Sequence, residues 1–281
     1  PIDQRGQTMC GAEVVRMKLN HRKSSRCSIA GRWGTVLIMA LATLFLGNPV
    51  PLATAEDEAQ VQESARLIAV LLDSGRVAIG RNQDLINDPA RGDKGFTPEV
   101  FAEQMIALFK ERTGHDLRNL STAQVPALAK PLLERLLEES KKTVATYQTV
   151  INVPGLKYKG LIPATFGTET GARFQLWSGI YLKQTAPEGL LRNPKNKPDA
   201  FESAALHKME DPSFPRNGEQ IVSEVVDGGK SVRVLLPLFY GKACLSCHGA
   251  PRGERDVTGY AREGAQEGTL GGAISVKLPL P

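Results

Sequence analysis

Cysteine is scarce in this 281-residue chain: four residues, at positions 10, 27, 244 and 247. A zinc ribbon needs a second C-x-x-C or a pair of histidines to complete its tetrahedron. The sequence holds one C-x-x-C and only four histidines, which excludes that class. Methionine is also rare, with none beyond Met209. No apolar run approaches the roughly 20 residues that span a bilayer; the longest extends from Val36 to Leu46. There is no internal repeat and no low-complexity tract.

Excess charge is missing as well, once the chain is divided. The whole sequence has 35 basic and 30 acidic residues. Seven of the basic and two of the acidic ones lie within residues 1–55, which leaves 28 of each sign in 56–281. A balanced chain offers no electrostatic support for nucleic-acid binding. The first 55 residues have the pattern of a secretory leader. Met17 opens a basic stretch with Lys18, Arg22, Lys23, Arg26 and Arg32, the apolar run follows, and Ala53-Thr54-Ala55 supplies a small-x-small cleavage pattern before Glu56. The expectation is a periplasmic protein, free of the membrane after cleavage, with residues 1–16 upstream of the true start. An uncleaved N-terminal anchor is the alternative. Cys10 and Cys27 leave with the leader, so no structural disulfide is expected.

What the chain does have is Cys244-Leu245-Ser246-Cys247-His248. C-x-x-C-H is the attachment sequence of c-type haem. Each thiol adds to a vinyl group as a thioether, and the adjacent imidazole becomes the proximal iron ligand. A thioredoxin-type pair would open a helix in a βαβ setting, but here Gly249, Ala250 and Pro251 follow at once.

Residues 56–150 read as helical. Val61, Ala65, Ile68 and Leu72 fall at helical spacing. Thr97 reads as an N-cap with Pro98 at the first helical position, and Gly114 as the stop of a helix whose stripe is Phe101, Met105, Leu108 and Phe109. Leu132, Leu133, Leu136, Leu137, Val144 and Tyr147 form another stripe. Residues 151–281 change character. Gly171 to Lys183 reads as strand-like around Phe174, Leu176 and Trp177. Asp199 can cap a short helix through Met209. Ile221 to Val226 and Val232 to Leu236 flank Asp227-Gly228-Gly229, a hairpin signal, and Gly272 to Leu280 gives a last strand with Ile274, Val276 and Leu278 on one face. The fold class is α+β: N-terminal helices followed by a small antiparallel sheet that carries the haem at its edge.

The position of the motif narrows the haem proteins. Small electron-transfer cytochromes carry it near the N-terminus with a Met ligand downstream; no Met follows His248. Four-helix cytochromes of the c-prime type carry it inside a helix. The chain instead resembles the bacterial monohaem c-type cytochromes with a PAS-like haem-binding domain, known from cyanobacteria and proteobacteria as a domain of unknown function. The resemblance rests on Leu85-Ile86-Asn87-Asp88-Pro89 with Gly92 to Thr97, Arg192 to Asn196 with Phe201-Glu202, Ala243 to Gly249, and Gly271 to Val276. It implies a PAS-like sheet, one covalent haem c and, with the chain ending at Pro281, a stand-alone periplasmic form.

Some relatives of that kind place a Cys at the sixth iron position. The mature chain has no spare Cys, so that ligand does not carry over. His115, His207, Met105 and Met209 are the remaining imidazole and thioether candidates; His207 or Met209 is the sequence choice, with water or an open site beside it. Arg192 and Asn193, with Asn196, can bond a haem propionate or hold the loop that covers it. Trp177, Phe239, Tyr240 and Tyr260 can pack on the macrocycle. The functional expectation is a haem-based redox or small-ligand sensing module, whose partner is a small gaseous ligand or a redox protein. The alternative is a soluble one-electron carrier. An enzyme such as a peroxidase ranks last, because no His-Arg pair marks a distal acid–base group.

Overall fold

The computed structural model describes residues 53–281, and the leader expected within 1–55 lies almost wholly outside them. Helix α1 (Ala55–Arg81) begins with a capping box: the Thr54 side chain accepts from the Asp57 amide while the Asp57 carboxylate accepts from the Thr54 amide. Every residue from Leu67 to Gly75 is buried, polar ones included. A helix apolar on one stripe needs one neighbour; one buried all round needs several. Around α1 are α3 (Pro98–Thr113), α4 (Ala129–Ile151), α5 (Pro163–Ser178) and a sheet. The short α2 (Gln83–Asn87) follows α1 directly.

The sheet has four antiparallel strands in the order β1 (Tyr181–Thr185), β4 (Leu270–Pro279), β3 (Ser231–Phe239) and β2 (Val222–Val226). Val232, Val234, Leu236, Ile274, Val276 and Leu278 face the helical core. Leu235 and Ala273 face the other way, onto α6 (Ala200–Glu210), with Ala205, Leu206 and Met209. Covered on both faces, β3 is a nearly unbroken apolar run. Helices and sheet thus share one compact unit.

The hairpin, the last strand and the Asp199-capped helix form where the sequence places them. The strand-like reading of Gly171 to Lys183 is corrected: residues up to Ser178 belong to α5, and only Tyr181–Thr185 is a strand. Pro163 starts that helix and Gly179, in the left-handed region at φ 71°, ends it. The buried positions Phe166, Thr170 and Phe174 recur every four residues, a helical period that an exposed Leu176 obscures. Gly171 is needed in α5, since a Cβ there would lie 2.8 Å from the Leu182 carbonyl oxygen of β1.

Candidate functional site

The motif sits just past the end of β3. A bulge at Leu238/Phe239 turns the strand, and the Tyr240 amide donates to Thr269 O at 2.9 Å. A 3-10 turn (Lys242–Cys244) then runs into the one-turn helix α7 (Leu245–His248). Residues three and four apart share a helix face, so Cys244, Cys247 and His248 point the same way. Gly249 closes the turn with its amide on Leu245 O at 2.9 Å. A Cβ at 249 would lie 2.5 Å from that oxygen, so the residue after the histidine has to be glycine. Both thiols are half-buried and free of any disulfide, and burial pushes the Cys247 thiol above its usual pKa.

The loop between α7 and β4 folds back under the imidazole. The Ala265 amide donates to His248 O at 2.8 Å, which brings Glu263 alongside. Glu263 Oε2 lies 2.9 Å from His248 Nδ1. Tyr240 stacks on the imidazole at 4.5 Å, with its hydroxyl 3.1 Å from the same nitrogen. Gly271 makes room for that ring: a Cβ there would lie 2.3 Å from Tyr240 Cε1. Burial, and then the nearby Arg192 guanidinium, lower the His248 pKa, and Glu263 only partly offsets them. A lowered pKa favours the neutral ring, the form that binds a metal. With Nδ1 engaged, Nε2 is the free ligand atom.

Arg192 reaches this cluster from the loop after β1. It donates from Nε to Glu263 Oε1 at 2.9 Å and from the guanidinium nitrogens to Asp256 Oδ2 at 2.6 Å and Cys247 O at 3.0 Å. Its guanidinium also lies over the Tyr260 ring, 5.3 Å from the centroid. The Asp256 side chain is buried. Burial alone would raise its pKa, but hydrogen bonds from Thr258 and Arg192 hold it below the usual value.

Cys244, Cys247 and His248 line a cavity of about 760 Å³. Its other walls come from Arg76, Val77 and Gly80 of α1, Leu108 and Arg112 of α3, and Phe239 and Tyr240. The volume lies in the range of cofactor pockets, about 300–1,000 Å³. The donor set suits the haem expected from the sequence. Two thiols stand one turn apart, an imidazole is fixed through Nδ1, and Arg81 and Lys242 at the wall can receive carboxylates.

Other expectations fare differently. Arg192 has its donors committed to protein acceptors, so it clamps the motif and the loop behind it. Asn193 is not among the cavity-lining residues; its side chain accepts from the Lys195 amide and caps the 3-10 turn Pro194–Asn196. His207 is exposed and sits 3.8 Å from Glu210, because it lies on the solvent side of α6. Met209 is fully buried between α6 and the sheet, where it fills the small second core. Neither lines the cavity, and neither do His115 and Met105. Among the cavity-lining residues, His248 is the one imidazole and there is no thioether. Of the four aromatics considered, Phe239 and Tyr240 line the cavity; Trp177 and Tyr260 do not. Asp256 and Glu263 were missed in sequence because only the return of the loop brings them to residues 192 and 248. The one signal was the turn-rich stretch Gly249 to Gly268.

The sequence matches the Tll0287-like family over residues 54–279. The chain belongs to that family. Among solved structures it is similar to the cyanobacterial haem protein Tll0287, at 21% identity over 54% of this chain and 92% of that one, with a TM-score of 0.37. No curated protein matches the sequence. The Tll0287-like match covers every element that builds the site, from α1 to β4.

Proposed function

We propose that this Tll0287-like protein is a periplasmic c-type monohaem protein with a PAS-like haem-binding part, acting as a redox or small-ligand sensing module. The observation that carries the reading is the joint placement of Cys244, Cys247 and His248 on one wall of the cavity, with Nδ1 of the imidazole held by a carboxylate. Metal-binding histidines are ordinarily oriented in this way by a partner on the other ring nitrogen. Haem bound there supplies one-electron chemistry and a site for diatomic ligands. The chain's own residues attach it, orient its proximal ligand and wall it with α1 and α3. The sensing role draws on the cavity wall, which offers no second imidazole, thioether or spare thiol for the sixth position.

The test is expression with a leader and a c-type maturation system. The expected product lacks residues 1–55, carries one haem that survives denaturation, and binds CO when reduced. Loss of the haem on denaturation overturns covalent attachment. A six-coordinate ferrous protein inert to CO points instead to a soluble one-electron carrier with a redox protein as its partner.

A further inference from the structure

Two carboxylates and one guanidinium are linked to His248 through its Nδ1. Glu263 touches the imidazole at 2.9 Å and is itself held by Arg192 through both of its oxygens, at 2.9 and 3.0 Å. Arg192 is in turn held by the buried Asp256 at 2.6 Å and reaches Cys247 O, the carbonyl of the peptide leading into His248. One guanidinium thus ties the backbone of the motif to the carboxylate that meets its side chain. The triad of Asp256, Arg192 and Glu263 carries one net negative charge, and its nearest oxygen faces Nδ1.

We propose that Glu263 is the positioning residue of the proximal ligand: its carboxylate fixes the plane of the His248 ring and makes the imidazole a stronger donor, holding the iron toward the ferric state. The inference rests on the haem reading above. A neutral imidazole that presents Nε2 to a metal carries its hydrogen on Nδ1. That hydrogen has two acceptors within reach, and the charged, nearer one dominates. An anion behind the ring raises ligand basicity and stabilises the more positive metal. Tyr240 stacks on the same ring and limits its rotation.

The experiment compares the haem-loaded wild type with Glu263→Gln and Glu263→Asp. Gln keeps the size of the side chain and removes its charge; Asp keeps the charge at a shorter reach. Each protein is assayed for haem retained after denaturation and for midpoint potential by spectroscopic titration. In Glu263→Gln the haem should remain covalent and the ferrous-to-ferric ratio at a fixed potential should rise about tenfold, which for one electron is about 59 mV. Glu263→Asp should fall between that variant and the wild type, and it carries the test if the Gln variant does not fold. A haem-loaded Glu263→Gln protein with the wild-type potential, or an Asp variant shifted as far as the Gln one, overturns the role of Glu263 while leaving the haem reading intact. A wild type that never retains haem overturns both.

Discussion

At the scale of single residues the site depends on close approaches as much as on its donors. Gly271 lets Tyr240 lie against β4 and stack on His248. In Gly271→Ala the new methyl would meet the ring far inside van der Waals contact, and overpacking of this kind costs about 1–3 kcal/mol. Urea unfolding of the two proteins checks this; an unchanged midpoint would mean that Tyr240 moves aside freely. The motif residues were legible because their chemistry is local, five consecutive positions with fixed spacing. Glu263 and Asp256 were not, because a carboxylate in a turn-rich loop gives no sign of what the loop returns to. Arg192 was legible as a site residue but not in its partners, since a guanidinium suits a haem propionate and a protein carboxylate equally.

At the scale of elements, α6 is fastened to the sheet by a buried polar group. Glu202 is fully buried and accepts from Arg233 of β3 at 2.9 Å, from Lys183 of β1 at 2.7 Å and from the Tyr181 hydroxyl at 2.9 Å. It also closes the capping box of its own helix with Asp199. Glu202→Ala would leave Arg233 with Asp199 as its one carboxylate partner, at 2.7 Å, and the Tyr181 hydroxyl without its acceptor; removing one side of a buried pair costs up to about 3–5 kcal/mol. Thermal unfolding should show a large drop in midpoint; a drop within about 0.5 kcal/mol, the range of ordinary surface substitutions, would show that water replaces the carboxylate. Sequence patterning located α6 through its cap and β2–β3 through the Asp-Gly-Gly turn. It misjudged α5 because Leu176 and Trp177 are apolar but largely exposed, so alternation there reflected no buried face.

At the scale of the whole molecule, acid should loosen the attachment of the loop to the rest. Asp256 titrates near 3.8 when unfolded and lower than that when folded. A depressed folded pKa gives stability that is present above the unfolded value and is lost as the pH falls through the folded one. Asp256→Asn should therefore be less stable than the wild type at pH 7, and the gap should narrow below about pH 3.8. Chemical denaturation across pH checks this; a gap independent of pH would assign the loss to packing alone. Helix-then-sheet order and the α+β class were readable from periodicity. The way α1 is enclosed by both layers was not, since burial all round leaves no polar stripe to mark its neighbours.

The Arg192 clamp also has a consequence in time. It joins residue 192 to the backbone of residue 247 and to a carboxylate at 263, segments far apart in the chain. Under the covalent-haem reading proposed above, a catalyst that forges two thioethers must reach both sulfurs, which are half-buried in the folded chain. Maturation and folding would then compete for the same stretch of polypeptide, and attachment would have to come before the segments at 192, 247 and 263 are joined.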